Sequence, residues 1–275
     1  MKIGIIAGSK FFPLIFSQSA KEKIKDIELI AFCFYGETSR LIARYVDKVF
    51  WLHVGELKKL VEIIHREEIK QMVMVGQISP KRIFERKYWD DSMVRLVDDI
   101  KDFRPHTVFS RVIRTLEIMG VEFLDSTLYM KEHLANGGLM SAIEPAKETW
   151  KDINFGLELI SRYVELDVGQ TIIIKNKSVI ALEALEGTDN TIIRGYRVAG
   201  KDCVVLKFSK KDQDFRFDVP IVGMSTLKIL NKIKASALVL EKNRVIILDK
   251  KNFLKYAYAL KIPVIGKEKI GFFNS

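Results

Sequence analysis

Lys2-Ile3-Gly4-Ile5-Ile6-Ala7-Gly8-Ser9 opens the chain with a short apolar run that breaks at a glycine and a serine. A run of this length bounded by turn residues reads as a buried strand. With one lysine ahead of so few apolar residues, it does not read as a secretion signal. Outward from it the same texture repeats. Phe11-Phe12-Pro13 leads into a helical stretch through Lys25, residues 27–34 form a second apolar run, and residues 46–53 form a third. Leu57, Leu60, Val61 and Ile64 recur at helical spacing, and Gln71–Val75 is a further buried run ending at Gly76-Gln77. Strands alternating with helices predict βαβ units and a parallel sheet. In such sheets ligands sit off the carboxyl ends of strands where the strand order reverses, which singles out Gly8-Ser9 and Gly76-Gln77 as ligand loops. The GxGxxG fingerprint of dinucleotide binding is absent, and a glycine at a first βα turn also serves simple chain reversal.

Helical material is expected from residue 81 to 120. Within it Asp90 and Asp91 suit a helix N-terminus and its dipole, with ligand contact as the sharper alternative. Residues 120–125 read as another strand, and Ala135-Asn136-Gly137-Gly138 marks a domain boundary. The fold class is therefore α/β, with a Rossmann-like parallel-sheet domain over 1–136 and a mixed α/β domain over 137–275. In the second domain residues 153–164 read as an amphipathic helix. Thr171–Lys175 and residues 178–185 read as a hairpin about Asn176-Lys177. Residues 202–208 form a strand, 225–234 a helix with Ser225 or Thr226 near its cap, 238–240 and 245–248 short strands, and 251–260 a closing helix.

A chain of 275 residues with 48% hydrophobic and 29% charged residues has ample core. No apolar run approaches the roughly 20 residues that span a bilayer, so a cytoplasmic protein is expected. Cys33 and Cys203 lie far apart in apolar runs and read as buried thiols, and the four histidines show no metal-ligand spacing. A net charge of +10 favours an anionic partner, either a nucleotide, a nucleic acid or an acidic membrane surface. The lysines are spread without an aromatic-interleaved patch, which weighs against dedicated nucleic-acid binding.

Two constellations carry chemistry. Gln213-Asp214-Phe215-Arg216-Phe217-Asp218-Val219-Pro220-Ile221-Val222-Gly223 reads as a strand that puts Asp214, Arg216 and Asp218 on one face. Such a face can hold a divalent metal or polarise a phosphate, or it is the solvated side of an edge strand. Glu186-Gly187-Thr188-Asp189 follows a strand. It can wrap an anion or offer oxygens to Mg²⁺, or it simply caps the helix containing Ile192 and Ile193 through Thr188 or Asp189. Lys207, Lys210 and Lys211, just before the 213–218 stretch, read by default as a solvated basic face, with pairing of one lysine to a phosphate as the alternative, and Arg194 is a similar candidate. No Ser/His/Asp set, GxSxG elbow or Walker loop is present, and the groups available suit metal-assisted hydrolysis or transfer.

The ordered set Ile5-Ile6-Ala7-Gly8 with Pro13, Gly76-Gln77-Ile78-Ser79, Asp90-Asp91, Leu166-Asp167-Val168-Gly169-Gln170, Ala184-Leu185-Glu186-Gly187-Thr188-Asp189 and the 213–223 stretch is a pattern of its own. It resembles the UDP-2,3-diacylglucosamine pyrophosphatase family of lipid A biosynthesis, in the two-domain form unrelated to calcineurin-like phosphoesterases. The resemblance implies Mg²⁺-dependent hydrolysis, with Mn²⁺ as an alternative, of UDP-2,3-diacylglucosamine to UMP and 2,3-diacylglucosamine 1-phosphate. It also implies a site in the cleft between the two domains. Asp218 matches the family's catalytic, metal-linked aspartate, with Glu186 and Asp189 expected to complete the metal shell. Gly8, Ser9, Lys10, Gly76, Gln77, Asp91, Gly169, Gln170, Gly187, Thr188, Arg194 and Lys207 are the expected substrate contacts. The family's glycine-rich first turn here reads Gly8-Ser9-Lys10, and its second-loop asparagine is Gln77. The expected partners are the UDP-linked diacylated glucosamine and the anionic cytoplasmic face of the inner membrane, held peripherally, with no nucleic acid. A homo-oligomer is compatible with the chain. The alternatives are a Rossmann-type nucleotide-binding oxidoreductase and a non-enzymatic nucleotide- or nucleic-acid-binding regulator.

Overall fold

The computed structural model describes residues 1–79, 82, 85–98, 100 and 105–270, the side chains of 105 and 106 excepted. The expected helical start at Lys81, and much of the stretch just before residue 105, lie outside the described residues. The chain is α/β and forms two compact units, the first comprising Met1–Met130 and Asp214–Asp218, the second Lys131–Gln213 and Val219–Ser275. No helix among the described residues is long and apolar enough to cross a membrane.

In the first unit the chain runs β1 (Lys2–Ala7), α1 (Phe12–Lys23), β2 (Glu28–Phe34), β3 (Lys48–Leu52), α2 (Leu57–Arg66), β4 (Gln71–Val75), α3 (Asp91–Asp98), α4 (Pro105–Ile118) and β5 (Glu122–Phe123). All five strands are parallel, in the order β3-β2-β1-β4-β5. The chain steps outward from β1 to β2 and β3, then returns to the other side of β1 for β4. The order therefore reverses between β1 and β4, where Gly8-Ser9 and Gly76-Gln77 leave the sheet. Ile3, Ile5, Ile6 and Ala7 are all buried, as a strand inside a parallel sheet covered on both faces requires. Pro13 sits in the first turn of α1, where its missing N–H is harmless, and Lys21 and Lys23 sit at the electronegative end. Asp90 acts as a cap twice over: its carboxylate accepts from the amides of Met93 (2.9 Å) in α3 and Lys58 (2.7 Å) in α2.

The second unit runs β6 (Gly138–Leu139), α5 (Lys147–Tyr163), β7 (Thr171–Lys175), β8 (Ser178–Leu182), α6 (Thr188–Ala199), β9 (Val204–Lys207), β10 (Ile221–Val222), α7 (Met224–Lys232), β11 (Ala237–Glu241), β12 (Ile246–Ile247), α8 (Lys250–Ala259) and β13 (Val264–Lys267). Its six-stranded sheet has the order β6-β13-β11-β9-β7-β8. The pairs β13–β11 and β11–β9 are parallel and the others antiparallel, while β10 and β12 form a separate parallel pair. The β7–β8 turn puts both Asn176 (φ 50) and Lys177 (φ 54) in the left-handed region, the geometry that matches a two-residue hairpin to strand twist. Neither residue is glycine, and the turn is held by buried Asp152 of α5, which accepts from both amides (2.9 and 2.7 Å).

The 213–223 stretch is not a strand. Only Ile221–Val222 pairs in a sheet, and residues 214–218 form a turn in which the Asp214 carbonyl accepts from the amides of Phe217 (3.2 Å) and Asp218 (2.9 Å). The Asp214 carboxylate accepts from the Arg216 amide (3.0 Å), so a local aspartate turn has replaced extended backbone. The alternation that put three charges on one face therefore does not operate here.

Candidate functional site

At the strand-order reversal of the first unit the two glycine loops are stitched together. The Gly8 amide donates to the Val75 carbonyl (2.8 Å), and the Ser9 amide (2.8 Å) and hydroxyl (2.7 Å) both donate to the Gln77 carbonyl. A Cβ on Gly8 would lie 2.5 Å from the Gly76 carbonyl carbon, and Gly76 itself has φ +90, so both positions need glycine. Lys10 is exposed in the left-handed region (φ 66), and Gln77 is exposed. The α1 N-terminus beyond them has no side-chain cap. Asp91 lies exposed in the first turn of α3.

Residues 214–218 are held in this same unit. The Phe215 carbonyl accepts from the Ser126 amide (2.9 Å), and the buried Ser126 hydroxyl lies within hydrogen-bond distance of the Arg216 carbonyl (2.8 Å) and the Met74 carbonyl (2.6 Å) at the end of β4. Arg216 grips Asp214 through Nε (3.0 Å) and Nη2 (2.7 Å) and reaches Glu117 through Nη1 (2.6 Å). These carboxylates, Asp214 first, raise its guanidinium above the ordinary range. Arg216 and Asp214 are thus the frame of the turn, and half-buried Asp218 is its last residue.

In the second unit one cluster forms where β7 begins and its antiparallel neighbours β8 and β9 end. Thr171 and Lys207 are cross-strand partners, and the Glu183 amide donates to the Thr171 carbonyl (2.9 Å). Lys207, only 3% exposed, donates from Nζ to Thr188 Oγ1 (2.6 Å). Thr188 Oγ1 lies 3.2 and 3.3 Å from the two oxygens of the buried Glu183 carboxylate and 3.3 Å from Thr171 Oγ1. Neither Lys207 nor Glu183 has another polar side-chain partner among the described residues. Tyr163 donates its hydroxyl to the Glu183 carbonyl, and burial pushes that phenol up to about 12. Gly169 packs its backbone against the same carbonyl and the Tyr163 hydroxyl, leaving no room for a Cβ. Gln170 places a buried Oε1 that has no hydrogen-bond partner among the described residues.

Thr188 does not cap α6. The N-cap is Gly187 (φ 80), which brings no side chain, so the first-turn amides have no side-chain cap. Both oxygens of Glu186 are engaged: Oε1 accepts from Arg194 Nη2 (2.5 Å) and Thr191 Oγ1 (3.2 Å), and Oε2 accepts from the Ala184 amide (3.0 Å). Arg194 above all holds this carboxyl down at about 2. Arg194 also donates to the Leu182 carbonyl (2.6 Å), so it braces the β8–α6 connection. Asp189 Oδ1 accepts from Thr226 Oγ1 (2.7 Å), linking α6 to α7.

Sequence reasoning thus named Thr188 and Lys207, which the fold brings together, but passed over Glu183. Its signal was alternation: beyond β8, Glu183 falls on the inward register of buried Ala181, where an acid is out of place. No group of three His, Cys, Asp or Glu side chains fit to hold a metal occurs among the described residues. Mg²⁺ does not need one, since it binds through one or two carboxylates completed by water and phosphate oxygens. On donor chemistry the carboxylates of Asp218 in the first unit and of Asp189 in the second, where Oδ2 is unused, each suit such an ion, whereas Glu186 is already paired with Arg194.

The LpxI N-terminal domain family matches residues 2–133 and the LpxI C-terminal domain family matches residues 136–265. The chain is 23% identical over 291 aligned positions to the UDP-2,3-diacylglucosamine pyrophosphatase LpxI of Caulobacter vibrioides, covering 96% of this chain and 97% of that relative. A solved structure of glycinamide-RNase-transformylase T from Mycobacterium tuberculosis aligns with 67% of this chain and 44% of its own at 13% identity and a TM-score of 0.24, too loose a likeness to bear on fold or function. With both domain families matched in order across nearly its whole length, the chain belongs to the LpxI family.

Proposed function

We propose that this protein hydrolyses the pyrophosphate bond of UDP-2,3-diacylglucosamine, releasing UMP and 2,3-diacylglucosamine 1-phosphate, in lipid A biosynthesis. The observation that carries the reading is the end-to-end match to both LpxI domain families, with a relative of that activity aligned over 96% of the chain. The second-unit cluster supports it, because a buried ammonium beside an uncapped helix N-terminus is what a phosphate needs.

In this reading Lys207 and the first-turn amides of α6 bind phosphate oxygens, with Gly187 and Gly169 allowing close backbone approach. The glycines at the strand-order reversal, Gly8 and Gly76, do the same for the nucleotide-bearing end, with Ser9, Lys10, Gln77, Asp91 and Gln170 as the remaining proposed contacts. Asp218 orients the attacking water by accepting its proton in a hydrogen bond. Asp218 would hold Mg²⁺, which would supply charge neutralisation of the pyrophosphate when bound. Glu186 and Arg194 serve as a pair that sets the α6 N-terminus rather than as ligands. A peripheral cytoplasmic location on an anionic leaflet fits the net charge of +10 and the lipid substrate.

The test is incubation with UDP-2,3-diacylglucosamine with and without a chelator, assaying UMP. Release of UMP that chelator stops and added Mg²⁺ restores is expected. No UMP in the presence of Mg²⁺ would remove the proposal, and release indifferent to chelator would remove the metal from it.

A further inference from the structure

We propose that Glu183 is a positioning residue which, through the Thr188 hydroxyl, fixes the buried Lys207 ammonium so that two of its N–H groups are presented to a phosphate. The direction of each hydrogen bond follows from what each group can do. An ammonium only donates, a carboxylate only accepts, and a threonine hydroxyl has one proton and two lone pairs. With Lys207 Nζ at 2.6 Å and the Glu183 carboxylate at 3.2–3.3 Å from one oxygen, Thr188 accepts from Lys207 and donates to Glu183. Thr171 Oγ1, 3.3 Å away, is left to donate to the second lone pair.

This arrangement uses one of the three Lys207 N–H groups. The other two meet no acceptor among the described residues although the residue is 3% exposed. A buried ammonium with open donors is costly unless an anion completes it. Thr188, the partner of that ammonium, is the first residue of α6, whose uncapped amides are the second half of a phosphate cradle. Glu183 does not itself touch the anion, which a carboxylate would repel. Its backbone is locked by the Thr171 carbonyl, the Tyr163 hydroxyl and the close-packed Gly169, so its carboxylate is a fixed reference for the Thr188 proton. The inference rests on the pyrophosphatase reading only for the identity of the phosphate-bearing ligand.

The test titrates inorganic pyrophosphate into the full chain by calorimetry in chelator-treated buffer, with a thermal melt of every variant. Lys207→Met is expected to weaken binding by roughly tenfold or more, the size of one charge-assisted hydrogen bond. Thr188→Val and Glu183→Leu should each weaken it, while Thr188→Ser and Glu183→Gln, which keep the hydroxyl and the acceptor, should restore most of it. Should Glu183→Leu fail to fold, the Val and Ser pair at Thr188 decides alone. Wild-type affinity in Lys207→Met, or equal affinity in Thr188→Val and Thr188→Ser with unchanged melting, would overturn the relay. If pyrophosphate binding follows the series but UDP-2,3-diacylglucosamine yields no UMP, the relay stands and the activity reading fails. If UMP is released by Thr188→Val with wild-type KM, the activity stands and the relay fails.

Discussion

Glu183 and Glu186 lie three positions apart, yet one carboxylate is buried against Thr188 while the other faces a half-exposed arginine. Glu186 carries a pH signature. Its folded pKa, about 2, lies below its unfolded value of 4.5, so the Arg194 pair contributes stability that is fully present above about pH 4.5 and lost as pH falls toward 2. With Arg194 48% exposed the contribution is on the order of 1 kcal/mol or less. Urea denaturation of the wild type and Arg194→Met should show a gap at pH 7 that narrows as pH falls below about 4.5 and is smallest near pH 2, where the bond to the Leu182 carbonyl is what remains of it. A gap of constant size across that range would show that the pair is not its source. At this scale the sequence exposes residue types but not their engagement. Nothing in Glu186-Gly187-Thr188-Asp189 says that the first acid is already spent on Arg194, whereas the inward register of Glu183 was readable from the alternation of β8.

Among elements, the strands of the first sheet were legible because each is a bounded apolar run. The endings of β1 and β4 at Gly8 and Gly76 were legible because only glycine fits there. The 214–218 segment was not, because period-two alternation of Asp, Arg and Asp also suits a turn in which Asp214 bonds to its own backbone neighbours. The β7–β8 hairpin was readable as a hairpin, but its fastening to α5 was not, since Asp152 sits 24 residues from the Asn176 amide it accepts from. Asp152→Ala would leave two turn amides without their charged acceptor and lower stability by about 2–3 kcal/mol, measured by chemical denaturation. A loss below about 0.5 kcal/mol would mean that water replaces the carboxylate there.

At the scale of the whole molecule, the α/β class followed from the strand pattern. The proposed substrate did not follow from it; that proposal rests on the resemblance to a family and on the family match. Nor was it visible that the chain, while building the second unit, contributes Asp214–Asp218 to the first. Hydrogen bonds from Ser126 to residues distant in sequence create that placement, and local pattern carries no trace of them. The account makes Asp218, the last residue of that segment, essential to turnover while the Asp214–Arg216 frame maintains the turn. The most direct measurement is UMP release from UDP-2,3-diacylglucosamine by the wild type and Asp218→Ala, with a thermal melt of each. The account predicts UMP from the wild type, a loss of roughly a thousandfold or more in the variant, and closely similar melting temperatures. Turnover by Asp218→Ala near the wild-type rate would contradict it.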